Sequence, residues 1–444
     1  MKKLIIYFSI IAVTLAVGCS KKLDVLPTQS IDEKDVFTSD AKVKAVLLGA
    51  YDGLSSGWLL GGDLQLYSEL LGADDEISWV GTFNDPREIW RKAIPTNNDY
   101  VAGTWLQGYK TIGICNNILK HLDVVNEDDR KRVEAEAKFI RGVVLFELVK
   151  LYAKPYSAGN VTTNLGLQLI TEPTVNGQIT DVNYVPRSTV QETYNFLLND
   201  LTFAKANLPE ENSVYATTSV ASAFLSRVYL QMENFTAARD EANDVINSGL
   251  YSLVNPISKA FNNSVNSAED IFDMQVSEKD GANDMHLFWS TSDYGARAGD
   301  VEVNDKHFAL YEAGDDRALL FFDDYYTEKW KLNFKNLPIV RLAEMYLTRA
   351  EANLRLGETV GATPTEDLNR IRSRSGLGPK PATLDDIIFE RHIELAFEGQ
   401  RIHDVKRLKQ SVDGFDYDAN ELVFPIPLRD INASNGALKQ NDGY

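Results

Sequence analysis

The chain has 444 residues, of which 45 are Lys or Arg and 64 are Asp or Glu, so its formal net charge is −19. With 44% hydrophobic residues it has the composition of a globular protein, long enough for about two to three domains or one large one. Because nucleic-acid binding depends on clustered Lys and Arg that neutralise phosphates, the acidic charge argues against a nucleic-acid partner. Cys19 and Cys115 are the two cysteines, so at most one disulfide braces the chain.

The N-terminus has the pattern of an export signal. Two lysines precede an apolar run over 4–17, which is shorter than the ~20 residues of a membrane-spanning helix, and small residues stand directly before Cys19. This arrangement resembles the bacterial lipobox, in which the cysteine is acylated and becomes the new N-terminus, although Ala16 stands where Leu is usual. We expect a signal peptide over 1–18 and a body over 19–444 that lipid chains on Cys19 tether to a membrane. The alternative is a plain secretory signal with an incidental cysteine.

The rest of the chain has mainly helical periodicity. Apolar residues recur every three to four positions in six stretches, and each stretch predicts an amphipathic helix. Ser188 and Thr383 stand where N-caps belong, and Gly249, Gly357 and Gly376 stand where helices end. We expect a mostly α protein whose helices form antiparallel pairs. The predicted helices are 134–152, 188–207, 220–232, 235–246, 339–356 and 384–408.

One predicted pair carries the small residues of a tetratricopeptide repeat. Ala223, Ala238 and Ala242 allow two antiparallel helices to approach closely, and a pair later in the chain repeats the pattern. Long insertions separate these repeats, so we predict degenerate helix pairs within one body, with minor β-structure, and not an open solenoid. The first insertion is 56–98 and the second is 254–336; both are rich in polar and aromatic residues, and loops of this length are usually functional.

Several blocks of sequence carry a further resemblance. They are CSKKLDVLP from Cys19, AEAKFIR from Ala135, RLAEMYLTRAEA from Arg341, LNRIR from Leu368, ELAFEGQR from Glu394, FPIP from Phe424 and LKQNDGY from Leu438. Together, and in this order, they resemble the SusD/RagB family of outer-membrane nutrient-binding lipoproteins of Bacteroidetes. The blocks extend over essentially the whole chain after the signal peptide.

The resemblance implies a fold and a function. The fold is a SusD-like α/α superhelix of tetratricopeptide-like helix pairs. The function is capture of an oligosaccharide on the outer face of the outer membrane, by a protein that covers a SusC-like TonB-dependent transporter and passes the ligand inward. Two alternatives stay open: binding of a peptide or other nutrient by the same architecture, and a tetratricopeptide scaffold that binds no small ligand.

The sequence contains no motif of a catalytic or cofactor site. Its five histidines lack the H-E-x-x-H spacing, and no P-loop, G-x-S-x-G or G-x-G-x-x-G is present. We therefore predict a protein that is not an enzyme and has no cofactor, and the lack of a D-x-[DN]-x-[DN]-G loop predicts no metal. The charged residues of the family blocks fall at helical spacings and predict buried ion pairs: Glu344, Glu351, Glu390, Arg391, Glu394, Arg401 and Asp404.

A sugar-binding site has its own composition. Pyranose C–H faces stack on aromatic rings, and sugar hydroxyls need polar partners, so both insertions are candidate binding surfaces. Trp79 and Trp289, one in each insertion, are the predicted stacking residues, and the alternative is that each anchors its loop. Trp105 and Trp330 are expected to pack, and Trp58 is left unassigned. The other predicted ligand contacts are Asp75, Phe83, Asn84, Arg87 and Tyr294.

Overall fold

The structure is a computed structural model that describes residues 36–173, 184–279, 281 and 283–444; Cys19 and the predicted signal peptide lie outside them. The described residues are mostly α-helical, as predicted. None of their helices is both long and apolar enough to cross a bilayer. The helices are α1 Asp40–Ser55, α2 Asp63–Leu71, α3 Asn84–Trp90, α4 Asp99–Lys120, α5 Glu127–Tyr152, α6 Val190–Asn207, α7 Thr218–Gln231, α8 Phe235–Asn247, α9 Asp284–Trp289, α10 Asp305–Phe308, α11 Leu342–Leu356, α12 Pro364–Arg374, α13 Leu384–Glu394, α14 Arg401–Arg407 and α15 Leu428–Ala433.

The strands of the described residues form four short antiparallel pairs. β1 pairs with β5, β2 with β3, β4 with β8 and β6 with β7. The first of these pairs joins the two insertions, because Ile77 lies opposite Val303 and Trp79 lies opposite Val301. The two insertions, each predicted as a candidate binding surface, are therefore joined by one β-ladder. The strands are β1 Ile77–Trp79, β2 Leu165–Gln168, β3 Arg187–Thr189, β4 Asp270–Met274, β5 Val301–Val303, β6 Phe321–Phe322, β7 Tyr326–Thr327 and β8 Leu337–Arg341.

The scaffold helices pack on their neighbours in the chain, from α4 through α5, α6 and α7 to α8, which in turn packs on α11. In the α7–α8 pair, Ala223, Ala238 and Ala242 are fully buried. Ser226 of α7 donates a hydrogen bond to the carbonyl of Ala238 at 3.0 Å, so the two helices approach closely. The predicted tetratricopeptide-like pairing is thus confirmed.

Helix ends follow local capping chemistry. Thr383 caps α13 as predicted, and its hydroxyl accepts the backbone N–H of Asp386 at 3.2 Å. The N-cap of α6 is Thr189 and not the predicted Ser188, because Thr189 forms a reciprocal capping box with Glu192. The glycines predicted to end helices all adopt positive φ: Gly249, Gly357 and Gly376.

Two predicted helices were wrong in their extent. The predicted helix 339–356 begins only after β8, whose residues pair with β4. The predicted helix 384–408 is broken into α13 and α14, because Phe397 and Gly399 adopt φ of 65° and 80°. A Cβ on Gly399 would lie 2.7 Å from the Cα of Gln65, so glycine lets the broken segment pass close to α2.

The charged residues of the family blocks are paired, as predicted; they are buried except for Arg401 and Asp404, which are half-buried. Arg341 is 1% exposed and its guanidinium contacts the carboxylates of Glu269, Glu394 and Glu398. Removing one partner of such a pair leaves an uncompensated buried charge, so these residues hold the scaffold together. The same arrangement joins Arg391 to Glu344 and Asp404, Arg407 to Glu351, and Arg317 to Glu390.

Candidate functional site

Both tryptophans predicted to stack on a sugar are buried. Trp79 is 3% exposed, and its indole nitrogen donates to the carbonyl of Phe83 at 3.1 Å. Trp289 is fully buried and packs on Phe397, with 5.0 Å between ring centroids. Since neither ring presents a face to solvent, neither stacks on a ligand in this conformation. The structure fits the alternative, in which each tryptophan anchors its insertion. The tryptophans predicted to pack are buried as well: Trp105 and Trp330.

A different set of aromatic rings reaches the surface. Trp58 is 37% exposed and Phe83 is 38% exposed. Tyr100, at the start of α4, lies between them, with ring centroids 5.4 Å from Trp58 and 6.5 Å from Phe83. We call these three residues the aromatic platform. Buried Phe288 of the second insertion packs against the platform, with its ring centroid 6.2 Å from that of Phe83 and 6.4 Å from that of Tyr100.

The position of Trp58 depends on a glycine. A Cβ on Gly103 would lie 2.6 Å from the Trp58 ring, so only glycine lets the indole lie against α4 at this point. Neither Trp58 nor Tyr100 is among the ligand contacts predicted from the sequence. The nearest signal in the sequence was the run of small residues beside Trp58, which does not reveal a contact with a helix some 45 residues away.

Polar groups border the platform at Phe83. The guanidinium of Arg297 lies 3.8 Å from the centre of the Phe83 ring and donates to the hydroxyl of Thr82 at 3.1 Å. Two predicted contact residues follow Phe83 on α3: exposed Asn84 and partly buried Arg87, whose guanidinium donates to the Asn84 side-chain oxygen at 3.3 Å. The structure therefore brings three of the predicted contacts to the same edge as Arg297.

The charges of two carboxyl groups, those of Asp63 and Asp284, act on Tyr100. Burial raises the pKa of Asp284 to about 6, and burial together with the negative charge of Asp284 raises the pKa of Asp63 well above its usual range. Both carboxylates also act on Tyr100, whose pKa is raised by burial and by their charge. Gly57 makes room for this pair, since a Cβ there would lie 2.2 Å from a carboxylate oxygen of Asp284. The site thus combines aromatic faces with an arginine and the half-buried carboxyl group of Asp284, while Asp63 lies buried behind it in α2.

Two other predicted contacts lie in different surroundings. Exposed Asp75 has a backbone carbonyl that accepts the side-chain N–H of Asn304 at 3.1 Å. Tyr294 packs edge-on against Phe322 at 5.4 Å, and the ammonium of Lys331 lies 4.7 Å from the centre of its ring. The structure gives neither residue a contact with the three platform rings.

A separate groove lies between α4 and the C-terminal segment. Its cavity volume is about 490 Å³, and its lining is mostly apolar, with Trp105, Tyr109 and Leu438 among its walls. A further cluster, formed by Glu76, His307 and His392, offers three atoms that suit a metal ion, within 4.8 Å of one another. These two features lie outside the aromatic platform.

Two family models match the sequence. A model described as starch-binding and associating with the outer membrane matches residues 21–230, and the SusD family model matches residues 318–423. Among individual proteins, the SusD-like protein P2 of Formosa agariphila is 26% identical over an alignment that covers 100% of both chains. The starch-binding protein SusD of Bacteroides thetaiotaomicron is 27% identical over 39% of this chain and 37% of its own.

Solved structures agree with these matches. A SusD superfamily protein from Bacteroides thetaiotaomicron superposes with a TM-score of 0.80 at 23% identity, covering 93% of this chain and 100% of that one. A SusD superfamily protein from Bacteroides vulgatus gives a TM-score of 0.81 at 23% identity, covering 91% and 99%. At this identity the superpositions establish the fold. Since the family models, a full-length relative and the fold all agree with the sequence blocks, the chain belongs to the SusD/RagB family.

Proposed function

We propose that this protein is a cell-surface lipoprotein that captures an oligosaccharide on the aromatic platform and delivers it to a SusC-like TonB-dependent transporter in the outer membrane. The family description, starch-binding and associated with the outer membrane, supports the general role. The predicted acylation of Cys19 would supply the membrane anchor, and the transporter is the partner that the family resemblance implies.

The exposure of Trp58 and Phe83 is the observation that carries the proposal. Each residue leaves more than a third of its surface in water. Grouped exposed apolar surface of this kind marks interaction sites, and flat rings suit the C–H face of a pyranose. Tyr100 joins the two rings into one surface on which more than one sugar unit can lie.

The polar residues at the edge would select the ligand's orientation. Arg297 and Asn84 place hydrogen-bond donors beside Phe83, and half-buried Asp284 contributes a carboxyl group whose charge acts on Tyr100. Sugar hydroxyls both donate and accept, so a mixed border of this kind suits them. In this proposal, Trp79 positions Phe83 through its hydrogen bond to the Phe83 carbonyl, and does not contact the ligand.

A panel of oligosaccharides and peptides, titrated by calorimetry against the chain that begins after Cys19, tests the proposal. Saturable binding of one class of oligosaccharide supports it. A peptide hit without any glycan hit would favour the alternative of peptide capture. A lack of binding to both classes, together with co-purification of a barrel transporter, would favour a scaffold and overturn the proposed capture role.

A further inference from the structure

Three side chains converge where the two insertions meet α13. Glu76 precedes β1 in the first insertion, His307 lies in α10 of the second, and His392 lies in the last turn of α13. The Oε2 atom of Glu76 is 2.8 Å from Nδ1 of His307 and 2.8 Å from Nε2 of His392. The side chains of Glu76 and His307 are 9% and 1% exposed, so the cluster is shielded from water.

These donors are the ligands that zinc prefers. One carboxylate oxygen with two imidazole nitrogens is a donor set of Zn²⁺ sites, in which a water molecule takes the fourth position. Tetrahedral bonds of about 2.1 Å separate neighbouring ligand atoms by about 3.4 Å. The two contacts to Glu76 would have to lengthen from 2.8 Å, and the two imidazole nitrogens, which lie within 4.8 Å of each other, would have to settle at about the same 3.4 Å spacing. Side-chain rotations that do both would admit an ion between the three atoms.

A second layer of contacts fits a bound metal. Nε2 of His307 lies 2.9 Å from the hydroxyl of Tyr311, so an N–H on Nε2 can donate there while Nδ1 stays free to bind the ion. The other carboxylate oxygen of Glu76, Oε1, faces Arg401 at 3.4 Å, which leaves Oε2 available to the ion. Hydrogen bonds of this kind fix the orientation of metal ligands.

The cluster also borders a small cavity. Its volume is about 20 Å³, which is room for a single water molecule. Glu69, Asp404, Arg391 and Arg401 line it together with the cluster, so acidic and basic groups are nearly balanced around the cavity. The Nε atom of Arg401 is buried and has no acceptor among the described residues, and a metal-bound water in the cavity would supply one.

We propose that Glu76, His307 and His392 form a binding site for a single Zn²⁺ ion, which clamps both insertions to α13. The prediction of no metal is based on the absence of a D-x-[DN]-x-[DN]-G loop, and the histidines lack H-E-x-x-H spacing. A search for local motifs cannot find this cluster, because Glu76 and His307 are 231 positions apart. The ligands become neighbours only through the β1–β5 pairing and the packing of α13.

Calorimetric titration with ZnCl₂ tests the site. The chain beginning after Cys19 would be produced without a polyhistidine tag, treated with EDTA and dialysed at neutral pH. We expect one Zn²⁺ per chain and a melting temperature that rises with Zn²⁺ concentration. Co²⁺ in place of Zn²⁺ should give the intense visible absorption of a tetrahedral site. Failure of the folded protein to bind either ion saturably would overturn the proposal.

His392→Gln is the decisive variant, because the glutamine amide can still donate to Glu76 but offers no imidazole. We expect it to weaken Zn²⁺ binding by about 100-fold or more, and Tyr311→Phe to weaken it by about 10-fold. His121→Gln is the matched control, since His121 stacks on Phe37 elsewhere in the fold and should leave binding unchanged. Unaltered binding in His392→Gln, or loss in His121→Gln alone, would contradict the assignment.

Discussion

The guanidinium of Arg297 lies 3.8 Å from the centre of the Phe83 ring, and this contact joins the second insertion to the first at the edge of the aromatic platform. Arg297 is held in place by Asp300, whose carboxylate accepts from its Nε at 2.7 Å. A cation over an exposed ring contributes about 0.5–1 kcal/mol. The contact therefore positions Phe83 while leaving 38% of that residue exposed.

The Arg297–Phe83 contact predicts energetic coupling. Arg297→Ala and Phe83→Ala should each lower the free energy of unfolding. The loss in the double variant should be smaller than the sum of the two single losses by about 0.5–1 kcal/mol. Urea unfolding of the four proteins measures the cycle. Exposed Arg91→Ala is the control and should change stability little. Additivity within about 0.3 kcal/mol would show that the contact has no energetic weight.

Substitution of Gly103 should weaken ligand binding by an effect that is separate from folding. Gly103→Ala should push the Trp58 ring out of place, because the new Cβ would meet it at 2.6 Å, and ligand affinity should fall. Gly113 lies in the same helix, and no described residue comes within 4 Å of its Cβ position, so Gly113→Ala should keep affinity and raise stability by up to about 1 kcal/mol. Calorimetry and thermal unfolding measure the two properties. Equal affinities of the two variants would refute the role given to Trp58.

Buried Glu69 predicts a pH-dependent loss of stability. Burial raises the pKa of Glu69 to about 7, above its ordinary value of 4.5. A raised pKa means that the folded state holds the proton more tightly than the unfolded state does. Protonation of Glu69 therefore stabilises the fold fully below about pH 4.5, and this stabilisation is lost as the pH rises through 7. Glu69→Gln should therefore gain stability over the natural protein as the pH rises from 5 to 8, by up to about 3 kcal/mol. Urea unfolding across this range, with EDTA present, measures the difference, and a pH-independent difference would contradict the assignment.

Substitution of Glu394 measures how much the buried ion network contributes to the free energy of unfolding. Its carboxylate contacts Arg341 and Arg374 and is fully buried. Glu394→Ala should lower the free energy of unfolding by about 3–5 kcal/mol, because three guanidinium groups, those of Arg317, Arg341 and Arg374, lose a buried partner. Glu172→Ala, which breaks the exposed pair with Lys120, should cost less than about 1 kcal/mol. Similar costs for the two variants would show that the network is not what holds α13 to the scaffold.

The helices could be predicted from the sequence where their determinants are local. The apolar stripe and small residues of α7 and α8 lie within about thirty positions of one another, and the Thr383 cap needs only Asp386, three residues on. The break between α13 and α14 could not be predicted, because Phe397 adopts a left-handed conformation that no local pattern demands. What stabilises it is a distant contact: Glu69 accepts the backbone N–H of Gly399 at 2.8 Å.

The candidate site shows the same division. The sequence predicts a site in the two insertions, with Phe83, Asn84 and Arg87 among its contacts, because aromatic and polar residues alternate there. The sequence does not indicate which tryptophans are exposed. Exposure is decided by tertiary contacts: the buried ring of Trp79 packs on Phe288 of the second insertion, while the absence of a side chain on Gly103 gives Trp58 its place on α4. Trp58 and Trp79 cannot be told apart by composition alone.

The most direct test of the central claim compares glycan binding by the natural chain with binding by the Trp58→Ala, Phe83→Ala double variant. Tyr325→Ala is the matched control, because Tyr325 is 52% exposed and lies outside the platform, between β6 and β7. We predict that the double variant loses at least tenfold in affinity, about 1.4 kcal/mol, for the oligosaccharide that the panel identifies, while the control keeps full affinity. Full affinity in a folded double variant would contradict the platform and direct attention to the groove between α4 and the C-terminal segment.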